Sequence, residues 1–189
     1  MENVKGILSM KTKNNDNVKD IIKEQFINAN YKVEIFILNA AEFGVPQSRE
    51  RVFFIGYKNS YNFTREDIEP KGFLFGDNQI TIEQAIMDLP QIKAREGKEE
   101  MEYESGPQNS YQKWIRNGST KVYNHIAMKH TDRLVERFSH IGFGQSVADV
   151  SEEHQQRKRG DAGKISGKVY SQNNMRPFPN KPSPTIPAS

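Results

Sequence analysis

Gln47, Arg49 and Arg51 stand at alternate positions in "PQSRERVFFIG", where a polar patch gives way to a continuously apolar run. Two guanidinium groups at the mouth of a strand are fixed cations. They either flank the strand as solvated charges or stabilise a negative group brought to them, and the residues alone leave both readings open. A second basic group is Arg157, Lys158 and Arg159 beside Gly160, extended by Lys164, Lys168 and Arg176. Such a cluster supplies salt-dependent affinity for a polyanion, and arginine can read guanine bidentately. A solvated basic loop is the alternative. The histidines are His125, His130, His140 and His154. His125 and His130 are five apart rather than the four that stacks ligands on one helix face, so no metal site is expected. With 0 cysteines, disulfides, thiolate zinc sites and cysteine nucleophiles are excluded within this chain.

The elements that would carry these residues can be read from spacing. Asp16 or Asn17 can cap a helix with Val18, Ile21, Ile22, Phe26 and Ala29 at helical spacing, and Asn30 stands where a left-handed residue closes helices. "YKVEIFIL" and "RVFFIGY" read as strands joined by the turn "FGVPQ". Residues 58–79 read as a polar connection. "TIEQAIMDLP" is predicted to be a short helix opened by a Thr81–Gln84 capping box, with Ile82, Ala85, Ile86 and Leu89 inward, and ended by Pro90. "KAREGKEEMEYESG" reads as a mobile charged connection, and "TDRLVERFSHI" as a helix with Leu134, Val135, Phe138 and Ile141 inward. A basic loop leading into short strands and an extended Pro-rich tail complete the chain.

Among 189 residues, 35 % are hydrophobic and 27 % charged, which implies a modest core with irregular parts. No apolar run is long enough to span a membrane. "MENVKGILSM" lacks a signal-peptide layout, so a cytoplasmic setting is expected. Residues 1–106 hold 14 Lys and Arg against 18 Asp and Glu, and residues 107–189 hold 13 against 6. A basic second half suits a polyanion partner or a solvated surface.

"LNAAEFGVPQSRERVFFIG" resembles the Q-x-R-x-R motif of the DNA (cytosine-5-)-methyltransferases. "MENVKG" is similar to that family's Glu-Asn-Val motif. "TIEQAIMDLP", "NHIAMKHTDRLVERFSHI" and "RPFPNKPSPTIPAS" resemble later segments in the right order. The resemblance implies an α/β fold: the C-terminal portion of a Rossmann-like S-adenosylmethionine-dependent methyltransferase sheet, residues 1–78. A linking helix (79–94) and a small, irregular, β-rich target recognition domain (95–189) would follow. It implies that Glu2 meets N3 and the exocyclic amine of a flipped cytosine, with Asn3 holding the turn. Arg51 would reach O2, Arg49 would pair with phosphate or a carboxylate, and Gln47 would orient the loop.

The family's cofactor glycine motif and Pro-Cys loop have no counterpart in these residues, nor do its final motifs. The expected role is therefore a part or subunit of a methyltransferase, inactive by itself and acting on double-stranded DNA in restriction–modification. A second polypeptide carrying the missing motifs is one possible partner. A non-catalytic DNA-binding remnant or an inactive truncated fragment is the rival reading.

Overall fold

Strand alternation shapes the first half of the chain. Its elements are strand β1 (Glu2–Asn3), helix α1 (Val18–Asn28), strands β2 (Tyr31–Asn39), β3 (Gln47–Ser48) and β4 (Glu50–Lys58), and a one-turn helix α2 (Arg65–Ile68). The structure, a computed structural model, describes residues 1–73, 78–158, 160–165 and 174–186. It divides into two units, Met1–Gln79 with the segment from Pro184, and Ile80–Ser183.

In the first unit β2 and β4 pair antiparallel from Tyr31 opposite Lys58 to Asn39 opposite Glu50. The strand order is β1-β4-β2, and β1 sets Glu2 opposite Phe53. Side chains alternate between faces with a period of two. One face therefore collects Val33, Ile35, Val52 and Phe54, which pack with Ile7, Leu8 and the α1 residues Val18, Ile22 and Phe26. Burying side chains the size of Val52 and Phe54 stabilises the fold by about 1.5–3 kcal/mol each. Gly56 is what lets α1 sit this close, since a Cβ there would stand 2.5 Å from a Phe26 ring carbon. The other face carries Glu2, Leu38, Arg51 and Phe53. There too the Arg65 guanidinium lies 4.3 Å from the centre of the buried Phe36 ring and pairs with Glu34 at 2.6 Å.

Two local details differ from the sequence reading. Asn17 takes the N-cap position of α1 but makes no side-chain capping bond, while the Asp16 carboxylate accepts from the Thr12 hydroxyl instead. Residues 58–79 contain α2, opened by a Thr64–Asp67 capping box. The Thr64 amide and hydroxyl hold the Asp67 carboxyl below its usual range. Asn30 adopts φ 66, the left-handed conformation expected of it.

The second unit contains helix α3 (Ile82–Ile86), strand β5 (Gly97–Glu102), helix α4 (Ser110–Arg116), strand β6 (Lys121–Ile126), helix α5 (Asp132–Ser139), strands β7 (Arg157–Lys158) and β8 (Asp161–Ile165), and the start of β9 (Ser183–Pro184). The Thr81–Gln84 capping box is present. Ile82, Ala85 and Leu89 are partly buried as expected, but Ile86 is half exposed, and Asp88, just past the helix, is buried. The reason is a partner far away in sequence. The Arg116 Nε and Nη2 both donate to Asp88 Oδ2, at 2.9 and 2.6 Å, and Nη1 donates to the Ser105 carbonyl. The Arg116 guanidinium also stacks 3.5 Å from the centre of the Tyr103 ring.

"KAREGKEEMEYESG" is not a loose connection, because Gly97–Glu102 pairs antiparallel with β6. Its charges are accommodated across the ribbon, where Lys121 bonds Glu100, which raises the Lys121 ammonium above its ordinary value. In α5, Leu134 and Phe138 turn inward as expected, but Val135 is exposed at 43 %. Among the described residues no helix is long and apolar enough to cross a membrane.

Removing one member of a buried, hydrogen-bonded pair strands the other charge. Asp88→Ala is expected to cost about 3–5 kcal/mol in urea unfolding, whereas Ile86→Ser, at an exposed position, should stay within about 0.5 kcal/mol.

Candidate functional site

The Asn39 side chain ties together the segment between β2 and β4. Asn39 ends β2, and its Oδ1 accepts from the amides of Ala41 and Arg49 at 3.1 and 3.0 Å. Its Nδ2 reaches the Ser48 hydroxyl at 3.3 Å. Asn39 thereby caps the 3-10 turn Ala40–Phe43 and fixes the return strand at Arg49 in one step. Gly44 follows at φ 74, a conformation that favours glycine, and turns the chain back. Thr185, from the end of the chain, donates to the Ser48 carbonyl at 3.2 Å.

This scaffold brings the polar groups to one opening. A cavity of 330 Å³ is floored by Leu38, Phe43, Val45 and Phe53, with Glu2, Arg49 and Arg51 at its wall. Arg51 Nε lies 3.2 Å from Glu2 Oε1, and its Nη1 donates to the Glu50 carbonyl at 2.7 Å. Lys5 pairs with Glu50 at 2.9 Å, engaging that carboxylate beside Arg51. The Arg51 side chain is 19 % exposed and that of Glu2 53 %. A pair so open on one side is worth about 0–1 kcal/mol, so a ligand offering its own donor and acceptor can replace it at little cost.

The remaining expected residues fall as follows. Asn3 accepts from the Val4 amide at 2.8 Å, a local turn. Gln47 lies in β3, its amide bonded to the Val45 carbonyl at 2.7 Å, and it is not part of the cavity wall.

The basic residues of the second unit are less uniform than their sequence suggests. Arg157 and Lys158 form β7, paired with β8. They line a groove of 790 Å³ with Arg133, Arg137 and Asp161. Arg133 and Arg137 did not enter the sequence reading, although their spacing of four, flanking that of Leu134 and Phe138, is a visible signal. Burial, and secondarily Arg133, pulls the Arg137 guanidinium below its usual value. Lys164 is exposed and 3.4 Å from Asp161. Arg176 donates to the Ile141 carbonyl at 3.2 Å and lies 4.3 Å from the centre of the Phe143 ring, so its position is largely structural. Arg159 and Lys168 lie outside the described residues. The His125 ring bonds the Pro90 carbonyl at 2.8 Å, and His130 packs edge-on against Phe138.

The sequence profile of the C-5 cytosine-specific DNA methylases matches residues 1–185. The chain belongs to that family. It is 59 % identical over 189 residues to the type II methyltransferase M.DdeI of Desulfomicrobium norvegicum, covering all of this chain and 46 % of that protein. It is 31 % identical over 152 residues to the type II methyltransferase M1.HphI of Haemophilus parahaemolyticus, covering 80 % of this chain and 32 % of that one. The chain thus spans less than half the length of these curated relatives. Its fold is similar to a solved structure described as a DNA modification methyltransferase encoded within a prophage of E. coli. There the TM-score is 0.62 at 17 % identity, over 97 % of this chain and 51 % of that one.

Asn39→Ala removes the cap and both links to the return strand. It is expected to lower stability by about 1–2 kcal/mol. Hydrogen exchange should quicken at the Ala41 and Arg49 amides while the Val52 and Phe54 amides keep their protection.

Proposed function

We propose that this chain forms the wall of the base pocket and the DNA-recognising part of a DNA (cytosine-5-)-methyltransferase. The whole enzyme would transfer methyl from S-adenosylmethionine to cytosine C5 in a type II restriction–modification system. The observation that carries this reading is the Glu2–Arg51 pair on an apolar floor, in a chain of the cytosine-5 family. The first unit is read as the end of a Rossmann-like sheet and the second as a target recognition domain.

Cytosine C5 is a weak nucleophile, and addition of a thiolate at C6 makes it reactive. The base must leave the duplex stack for this to occur. This chain holds 0 cysteines, so the thiolate comes from polypeptide outside these residues. Addition at C6 builds negative charge toward N3 and O2. Glu2 accepts from the exocyclic amine and, when protonated, donates at N3. Arg51, already oriented by the Glu50 carbonyl, stabilises charge at O2 without having to reorganise. Arg49 is assigned to phosphate or a carboxylate, Asn3 to the turn behind Glu2, and Gln47 to the loop.

The cofactor does not fit this pocket. Two guanidinium groups against the single Glu2 carboxylate leave its wall net positive, which opposes the sulfonium charge of S-adenosylmethionine, so the methyl donor is assigned to residues outside it. In the second unit, Arg157 and Lys158, with Arg133 and Arg137, form a cationic groove suited to the backbone of double-stranded DNA.

Arg51→Ala in the complete enzyme should lower turnover by about 10²–10³-fold with DNA affinity nearly unchanged. Near-normal turnover would remove the assigned role. Arg157→Ala with Lys158→Ala should weaken binding on all sequences alike and reduce the slope of affinity against salt by about 0.9 per lost contact. A loss confined to one sequence would contradict the backbone assignment.

A further inference from the structure

We propose that Glu136, His140 and His154 form a site for a divalent transition-metal ion, of which Zn²⁺ is the probe. One ligand atom from each of the three residues lies within 4.8 Å of the others. The inference is independent of the proposed function.

The fold assembles these groups from two directions. Glu136 lies in α5 and His140 at its C-cap, four residues apart and so on one face. His154 closes the 3-10 turn Glu152–His154. It is returned to α5 through its backbone, because Arg137 Nε donates to the His154 carbonyl at 2.7 Å. That bond also engages the Arg137 guanidinium with a carbonyl. The two imidazoles stack with ring centres 3.6 Å apart and planes 16° from parallel.

Two imidazole nitrogens and one carboxylate oxygen are a donor set that suits Zn²⁺ and its neighbours, leaving further positions for water. The Glu153 carboxylate lies 3.4 Å from His154 Nε2, where it can ligate further or orient the ring through its second nitrogen. Near-parallel rings direct their in-plane lone pairs side by side, so binding one ion requires the rings to turn out of the stack until the lone pairs converge. Both rings are at the surface, His140 exposed and His154 half-buried, so this movement is available. The occupied site would clip α5 to the turn that leads into β7. Spacing within a single helix could not reveal it, because the third ligand returns from a separate turn.

The test is calorimetric titration of the chain, free of any histidine tag, with ZnCl₂ in a non-chelating buffer. One ion per chain is expected. His140→Ala and His154→Ala should each weaken binding at least about tenfold, Glu136→Gln less, and His125→Ala not at all. In the unsubstituted chain, Zn²⁺ should shift the His140 and His154 ring NMR signals and leave those of His125 and His130 in place. The ring signals decide the matter if a variant fails to fold. Absence of stoichiometric binding, binding that survives both histidine substitutions, or unmoved His140 and His154 signals would each overturn the proposal.

Discussion

The register of β2 against β4 is the constraint on which the candidate pocket depends. Leu38 opposite Arg51 and Ile37 opposite Val52 divide the sheet into a face packed under α1 and a face that bears Glu2, Leu38, Arg51 and Phe53. A slip of one residue would turn Arg51 into the core and Val52 to solvent, because side chains alternate with a period of two. Burial of Val52 and Phe54 therefore does more than stabilise the unit. It fixes the direction of the Arg51 guanidinium one strand position from Val52, and Asn39 sets the loop that returns the chain to that register.

The second unit is organised by polar contacts to an unusual degree. Asp88 and Arg116 are almost fully buried, their side chains 3 % and 5 % exposed. Gln112, also buried, joins α4 to the Gln84 carbonyl of α3 at 3.0 Å. With a modest supply of apolar residues, directional bonds between distant segments supply the specificity that packing alone would leave loose. Arg133, Arg137, Arg157 and Lys158 share one groove, with Arg137 half-buried there and bonded to the His154 carbonyl.

Much of the first unit is legible in the sequence, because its signals are local. β-Branched and aromatic runs mark both long strands, the Thr81–Gln84 box opens α3 in the other unit, and Asn30 closes α1. Two of the misreadings share a cause in partners remote along the chain. Asp88 turns inward for Arg116, and Gly97–Glu102 becomes a strand only because Lys121–Ile126 pairs with it. A charged run without periodicity carries no trace of such a partner. The same holds for His154, which meets His140 only after the chain returns. The helix Ser110–Arg116 shows the opposite case. Its capping residue Asn109 is in plain view, but Trp114 and Ile115 point outward and blur the apolar stripe that periodicity would detect.

The central claim is that the Glu2–Arg51 wall receives a cytosine edge. Titrating the isotopically labelled chain with deoxycytidine monophosphate, and separately with thymidine monophosphate, tests it directly by NMR. Cytosine offers an amine to the Glu2 carboxylate, whereas thymine presents a carbonyl oxygen there that the carboxylate repels. Saturable shifts at Glu2, Leu38, the Arg51 Nε–H and Phe53 with the cytosine nucleotide, much weaker with the thymine one, are the expected result. Equal shifts with both nucleotides, or none at Arg51 with either, would contradict the account.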